Sequence, residues 1–257
     1  MSELDSYTTA TRPAAASNTG LCIFNTDNDS IEVSDGTSYL SYASDGFTVG
    51  ASTHSADFDG TDDRVEIGNA TVLNGVTAFS LTCWIQSSAT ISSTFDLFSG
   101  GDGYANGIYL YLTSTGLDFG VGTSYGRYST ALNDGSWKHL GAVYNGSSFA
   151  VYINGSPVSI STTGTPPSST ASTAGNGSHI ASRVDDTREY NGYMDDFAIF
   201  NAALTADEVL NIKAHSIYPT TKIQHLYKFD NNYNDSIGSL NGTAQGDPQL
   251  QSSVVRP

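Results

Sequence analysis

The tightest constraint on this chain is a two-residue period of apolar side chains that recurs in short runs, each ended by glycine, asparagine or aspartate. Phe79, Leu81, Cys83 and Ile85 alternate with Ser80, Thr82, Trp84 and Gln86. Only a strand sends neighbouring side chains to opposite faces in this way. Gly107–Leu112 and Gly116–Val121 flank Thr113-Ser114-Thr115, and Trp137–Tyr144 is followed by Asn145-Gly146-Ser147 and then Phe149–Ile153. Both read as hairpins. Asn154-Gly155 turns the chain again, Asn-Gly being the dipeptide that best tolerates positive φ. Many short strands with turns between them predict a β-sandwich or jelly roll rather than a helical bundle.

Composition narrows the function. Ten Lys+Arg stand against 26 Asp+Glu in 257 residues, a formal charge of −16. That excess argues against nucleic acid and anionic membrane as partners, since both need cations. No apolar run approaches the ~20 residues of a membrane helix. The start, Met1-Ser2-Glu3-Leu4-Asp5, lacks a basic segment and an apolar stretch, so a secretory signal is not expected. Two cysteines, Cys22 and Cys83, make neither a disulfide framework nor a zinc site.

Three parts are expected. Residues 1–50 hold two short strand candidates, Leu21–Phe24 and Ser30–Val33, joined by the turn-rich Asn25–Asp29. This reads as a β-hairpin leader too small for a core of its own, which must dock on something else. Residues 51–216 carry the sandwich, with residues 161–178 as a low-complexity surface loop. One short helix is expected where Thr205 can cap and Glu208 can complete a capping box. Residues 217–257 return to strand and are expected to complete the sandwich from the other end or to bridge to a second copy.

Five ordered blocks carry a resemblance. They are Asp57–Ile67, Phe79–Ile85, Gly135–Tyr144, Val151–Gly155 and Gly192–Phe200, the last followed by Ala203-Leu204-Thr205 and Glu208-Val209. Together they resemble the laminin-G-like jelly rolls of the concanavalin A-like lectin and glucanase fold. The resemblance implies an all-β, concanavalin A-like β-sandwich and a trade in carbohydrate binding. Leu226–Asp230 with Asn234-Asp235-Ser236 looks like the segment that usually opens such a domain, here at the other end. The leader, through Arg12-Pro13, Phe24–Asp27, Ile31-Glu32-Val33 and Asp35–Tyr39, is similar to those of tailed-bacteriophage structural and fibre proteins. That implies a virion protein, docked to other virion proteins by its leader, oligomeric, and released by lysis. The alternatives are a secreted or cell-surface carbohydrate-binding module and a glucanase-fold hydrolase.

Candidate chemistry follows. Jelly-roll glucanases carry paired carboxylates on one strand, Glu-x-Asp-x-x-Glu, and no such strand is present, so a catalytic site is not expected. Sugar rings stack on aromatic faces, and Tyr104, Tyr125, Tyr128 and Tyr190 are the tyrosines expected in loops beside polar residues. Resemblance to the calcium-binding pentraxin branch implies calcium, held by Asp102 and Asn106 from one loop and by Asp185, Asp186 and Glu189 from another, the two converging at one edge. Arg183 and Arg188 compete as neutralising partners for the same acids. Asp57–Asp63 fails the EF-hand pattern and reads as a tight turn. Trp84 and Trp137 read as packing residues.

Overall fold

The computed structural model describes residues 6–25, 30–34, 36–43, 46–48, 52–101, 107–171, 177–252 and 256. The leader supplies β1 (Ser6–Tyr7), β2 (Cys22–Asn25), β3 (Ser30–Ser34), β4 (Tyr39–Ala43) and β5 (Gly46–Thr48). β1 to β4 form a four-stranded sheet of their own, in which the expected hairpin is the middle pair. Its antiparallel register sets Cys22 against Val33 and Val33 against Leu40. Arg12 helps so small a sheet to hold. Its Nη1 donates to the Glu32 carboxylate at 2.7 Å, and its guanidinium lies 5.0 Å from the Tyr39 ring centre. Glu32 is buried, so this pair neutralises a carboxylate that water cannot reach.

The head runs through β6 (Ser55–Asp59), β7 (Arg64–Gly68), β8 (Phe79–Gln86), β9 (Thr94–Gly100), β10 (Ile108–Thr113), β11 (Gly116–Val121) and β12 (Ser124–Tyr128). It continues with β13 (Lys138–Tyr144), β14 (Phe149–Ile153), β15 (Ser156–Val158), β16 (Ser161–Thr163), β17 (Ser178–Ile180), β18 (Asn191–Phe200) and the helix α1 (Ala206–His215). The tail adds β19 (Ile217–Pro219), β20 (Ile223–Tyr227), β21 (Thr243–Gln245) and β22 (Gln249–Gln251). One sheet has the order β16-β12-β11-β10-β9-β17-β7-β21. The other has β15-β14-β13-β8-β18-β6-β22, with β20 also on β18. The two are the layers of an all-β jelly-roll sandwich.

Period-2 alternation sorts each strand. Phe79, Leu81, Cys83 and Ile85 of β8 face Leu110, Leu112, Leu117 and Phe119 of the opposite sheet in one buried cluster. Aromatic rings knit it: Phe79 lies 5.6 Å from Phe119 and 5.4 Å from Tyr144, centre to centre. Cys83 is in this core and Cys22 in the leader, and both are free thiols.

The outer face of the β8 sheet is covered by α1. Thr205 accepts from the Glu208 amide while the Glu208 side chain accepts from Thr205 N–H, the capping box expected from sequence. Val209 and Ile212 pack under the helix with Val143, Ala198, Phe200 and Leu204. Burial of each such side chain stabilises by about 1.5–3 kcal/mol, far more than the helix's own propensity over ten residues. The described residues of the stretch 161–178 are mostly exposed, as expected of a surface loop, but they are not loop throughout. The stretch opens as β16 paired to β12, and Thr170 is buried, donating its hydroxyl to Leu73 C=O at 2.6 Å and accepting from Val76 N–H.

The tail belongs to the same sandwich. β20 pairs with β18, β21 with β7 and β22 with β6, so both sheets take strands from it. Tyr227 and Phe229 enter the central core. Asp235 fixes the turn after β20 by accepting backbone N–H bonds from Leu226, Ile237 and Gly238 and by pairing with His225 at 2.7 Å. We predict that a chain ending at residue 216 shows no cooperative melting transition; a melting curve like that of the full chain overturns this assignment of the tail.

β18 carries the costliest buried groups. Asp195 and Asp196 are 0% and 1% exposed, at a β-bulge where Asp196 has φ 45°. Arg256, near the chain end, pairs with Asp196, lies 3.5 Å from Asp195 and sits 5.4 Å from the Trp84 ring centre. Burial, and then the charge of Asp196, push the Asp195 carboxyl far above its usual range, so it holds a proton in the fold. Its ordinary value is 3.8. The stability that this raised group contributes is therefore complete below about pH 4 and is lost as pH rises through the raised value. Asp195→Asn should flatten that decline, raising the melting temperature at pH 8 more than at pH 5; equal shifts at both pH values would contradict it.

Candidate functional site

The outer face of the β9–β12 sheet has no helix over it among the described residues, and its side chains follow from register. Tyr109 on β10 stands opposite Gly120 on β11, which stands opposite Tyr125 on β12, which faces Thr163 on β16. One step along, the row is Asp96, Tyr111, Asp118, Arg127 and Ser161. Gly120 is what lets the first row lie flat. A Cβ there would stand 2.4 Å from the Tyr109 ring, so any side chain would lift the tyrosine off the sheet. With glycine in place, the Tyr109 and Tyr111 rings stack 5.4 Å apart at 22°.

Asp118 organises the second row. It is wholly buried and accepts from Arg127 Nε at 2.7 Å, from Arg127 Nη2 at 2.6 Å and from Tyr111 Oη at 2.8 Å. This two-point clamp fixes the guanidinium plane and leaves Nη1 free to donate outward. The Asp118 bond is the main reason that the Arg127 pKa lies above its usual range. Arg127 remains 42% exposed and sits 5.3 Å from the Tyr125 ring centre. The accessible surface thus consists of the half-buried Tyr111 and Tyr125, one immobilised guanidinium and the hydroxyls of Ser161 and Thr163 at its edge, while Tyr109 is only 3% exposed and packs within it. Burial, followed by the nearby charges of Asp118 and Tyr125, raises the Tyr109 phenol, which stays neutral. A cleft of 220 Å³ adjoins the platform at the β11–β12 turn, lined by Gly122, Thr123, Ser124, Thr165, Pro167 and Ser169.

The expected sugar-binding tyrosines divide. Tyr125 reaches the platform, from a strand rather than a loop. Tyr128 lies on the other side of β12 and packs against the core. Tyr190 is fully buried, its hydroxyl donating within range of the carbonyls of Gln86 (3.0 Å) and Tyr193 (3.2 Å), so no sugar can reach it. Tyr104 lies outside the described residues. Tyr109, Tyr111, Asp118 and Arg127 escaped the sequence reading because strand tyrosines there count as framework. The readable signal was Asp118-Phe119-Gly120, a strand whose outward positions are charged and empty opposite two tyrosines.

The implied calcium set is not assembled by the described residues. Asp102 and Asn106 lie outside them, but their flanks Gly101 and Gly107 stand at the Gly100 end of β9. The loop holding Asp185, Asp186 and Glu189 leaves β17 at Ile180 and passes Asp96, toward the opposite end. A strand of seven residues separates the two anchors. Arginines already occupy the acids: Arg183 lies 3.2 Å from Asp185 and Arg64 lies 3.0 Å from Asp186. Glu189 is half-buried on the same loop.

Two other groups bring ligand atoms within 4.8 Å of one another, Glu66–His179–Asp186 and Asp59–Asp62–Asp63. The first contains an imidazole and is bridged by Arg64, which suits a hard cation poorly. In the second, Asp63 is buried and accepts the backbone N–H of Asp59 and of Asp247, so it is fastened as the turn expected from sequence.

Comparison with known proteins agrees with this architecture. Residues 59–210 match a laminin-G-type family model described as the concanavalin A-like lectin/glucanases superfamily. A structure from Bacteroides ovatus, named as a candidate carbohydrate binding protein, superposes with a TM-score of 0.62 at 16% identity. That superposition covers 78% of this chain and 60% of that one. The native heptameric SAP-like pentraxin of Limulus polyphemus gives 0.53 at 17% identity, covering 81% of this chain and 98% of its own. At such identities these likenesses speak to fold alone. No curated protein sequence matches the chain. The family match spans more than half of the residues, and with the two-sheet sandwich it makes this chain a member of the concanavalin A-like lectin/glucanases superfamily.

Proposed function

We propose that the chain is a non-enzymatic, lectin-like module that binds glycans on the surface made by Tyr111, Tyr125 and Arg127, which the buried Tyr109 supports from within the sheet face. The observation that carries this is the exposed, Asp118-clamped Arg127 between tyrosine rings. A sugar presents an apolar C–H face for stacking and hydroxyls for hydrogen bonds, and the platform offers both complements. The carboxylates on this face do not serve hydrolysis. Asp96 and Asp118 are wholly buried, and both Asp118 oxygens are committed to Arg127. The Bacteroides ovatus structure, named for carbohydrate binding, supports the reading through a shared fold.

A glycan array probed with multimerised protein tests it. Tyr125→Ala should weaken binding by about tenfold, worth about 1.4 kcal/mol. Binding should persist in chelator, because Arg64 and Arg183 already hold the acids of the implied calcium set. Loss of binding in chelator would restore calcium to the site. Silence across the array, or a Tyr125→Ala variant of unchanged affinity, overturns the platform.

For the setting, the reading is a tailed-phage virion, with the leader docking the head to other virion proteins. The leader's separate four-stranded sheet supports this, together with its likeness to phage leaders. Many copies on one particle turn weak sites into firm attachment. A chain lacking residues 1–50 should keep its glycan binding and lose incorporation into particles. Unimpaired incorporation returns the chain to the class of free carbohydrate-binding modules.

A further inference from the structure

A second polar cavity lies on the opposite side of the sandwich, where α1 ends. This cleft of 430 Å³ is lined by Trp84, Trp137, Asn154, Lys213 and Ala214. Both tryptophans of the chain are there, brought together by register and by one turn. Trp84 is directly opposite His139 on β13, and Trp137 precedes β13. Asn154, at φ 54° in the β14–β15 turn, accepts the His139 backbone N–H at 2.9 Å and donates its own N–H to the His139 carbonyl. Lys213 comes from the last turn of α1.

Two groups at this cleft lack the partners that their kind have elsewhere. His139 is 1% exposed, yet neither of its ring nitrogens has a hydrogen-bond partner among the described residues. Its ring lies 5.2 Å from that of Trp84, and its main chain is tied to Asn154, so it supports two residues that line the cleft without lining it itself. An unpaired buried donor or acceptor costs about 1–3 kcal/mol, so this ring is a costly element of the frame that holds Trp84 and Asn154 in place. Burial, then the charges of Arg256 and Lys213, push its pKa down to about 3, so the imidazole is neutral and can both donate and accept. Lys213 is the second group. Lys138, Lys222 and Lys228 each pair with a carboxylate, while Lys213 has no ion pair among the described residues. In a chain of net charge −16, an unpaired ammonium beside two indoles is selective for anions.

We infer that this cleft is a second saccharide site, independent of the tyrosine platform, and that it takes a carboxylate-bearing sugar of the hexuronate class. Trp137, half-buried, offers its face to the sugar ring. Lys213 pairs with the carboxylate. Asn154 donates its side-chain amide to a hydroxyl. A neutral hexose would leave Lys213 without a counter-charge, which is the basis of selection.

Because this cleft holds both tryptophans, indole emission reports it directly. The full chain is titrated with galacturonate and glucuronate, each as monosaccharide and trisaccharide, and with the matching neutral galactose and glucose sugars. A saturable emission change with at least one uronate, with the neutral sugars at least tenfold weaker, is the expected result. Lys213→Gln should weaken that response at least tenfold, and Lys213→Arg should retain it. Tyr125→Ala should leave it unchanged, which separates this site from the platform. No emission change with any uronate, an equal response to neutral sugars, or wild-type affinity in Lys213→Gln overturns the inference.

Discussion

Burying Asp195 and Asp196 in the middle of a sheet is the constraint to which much of this molecule answers. β18 pairs with β8, β6 and β20, so its backbone cannot move to bring those carboxylates to water. Two charges there would cost several kcal/mol each without compensation. The solution uses distant parts of the chain. Asp195 keeps a proton, Asp196 pairs with Arg256, and Arg256 is brought in by a tail already fastened as β20, β21 and β22. The tail therefore supplies hydrogen bonds to both sheets and a counter-charge to the strand between them.

That arrangement makes the two outer faces unequal. On the β8 sheet, Val143, Ala198 and Phe200 point outward and demand a cover, which α1 provides. The cover ends at His215, and the space beyond it becomes the tryptophan cleft. On the other sheet the outward residues are Tyr109, Tyr111, Asp118, Tyr125 and Arg127; Tyr109 and Asp118 are buried among their neighbours, and Tyr111, Tyr125 and Arg127 reach water. Fold and recognition surface are thus two faces of one alternation: the inward residues fix the sandwich, and the outward residues decide whether a face is roofed or open.

The sandwich was legible because period 2 is local. Phe79–Gln86 and the Thr205–Glu208 capping box each carry their signal within a few residues and formed as read, and the Thr113-Ser114-Thr115 hairpin formed with Thr113 drawn into β10. The site was less legible because it is assembled across strands. Nothing near Tyr190 in sequence shows that its hydroxyl will be held by Gln86, and Tyr125 and Tyr128 look alike until pairing sends them to opposite faces. His139 escaped for the same reason. Its isolation in sequence says nothing of a buried ring with no partner.

Calcium shows how register governs inference from resemblance. An oxygen cage needs its loops at one rim, and rim is fixed by which end of a strand each loop leaves. β17 runs antiparallel to β9, with Ser178 opposite Gly100 and Ile180 opposite Phe98. Ile180 and Gly100 thus stand toward opposite ends of β9, while Asp102 and Asn106 lie outside the described residues. The acids near Asp186 meet arginines instead: Arg64 bridges Glu66 and Asp186, and Arg183 holds Asp185. In a chain with six arginines against 26 acids, placing two of them here is a strong local choice. It gives these carboxylates cationic partners from within the fold, so that they can sit close together.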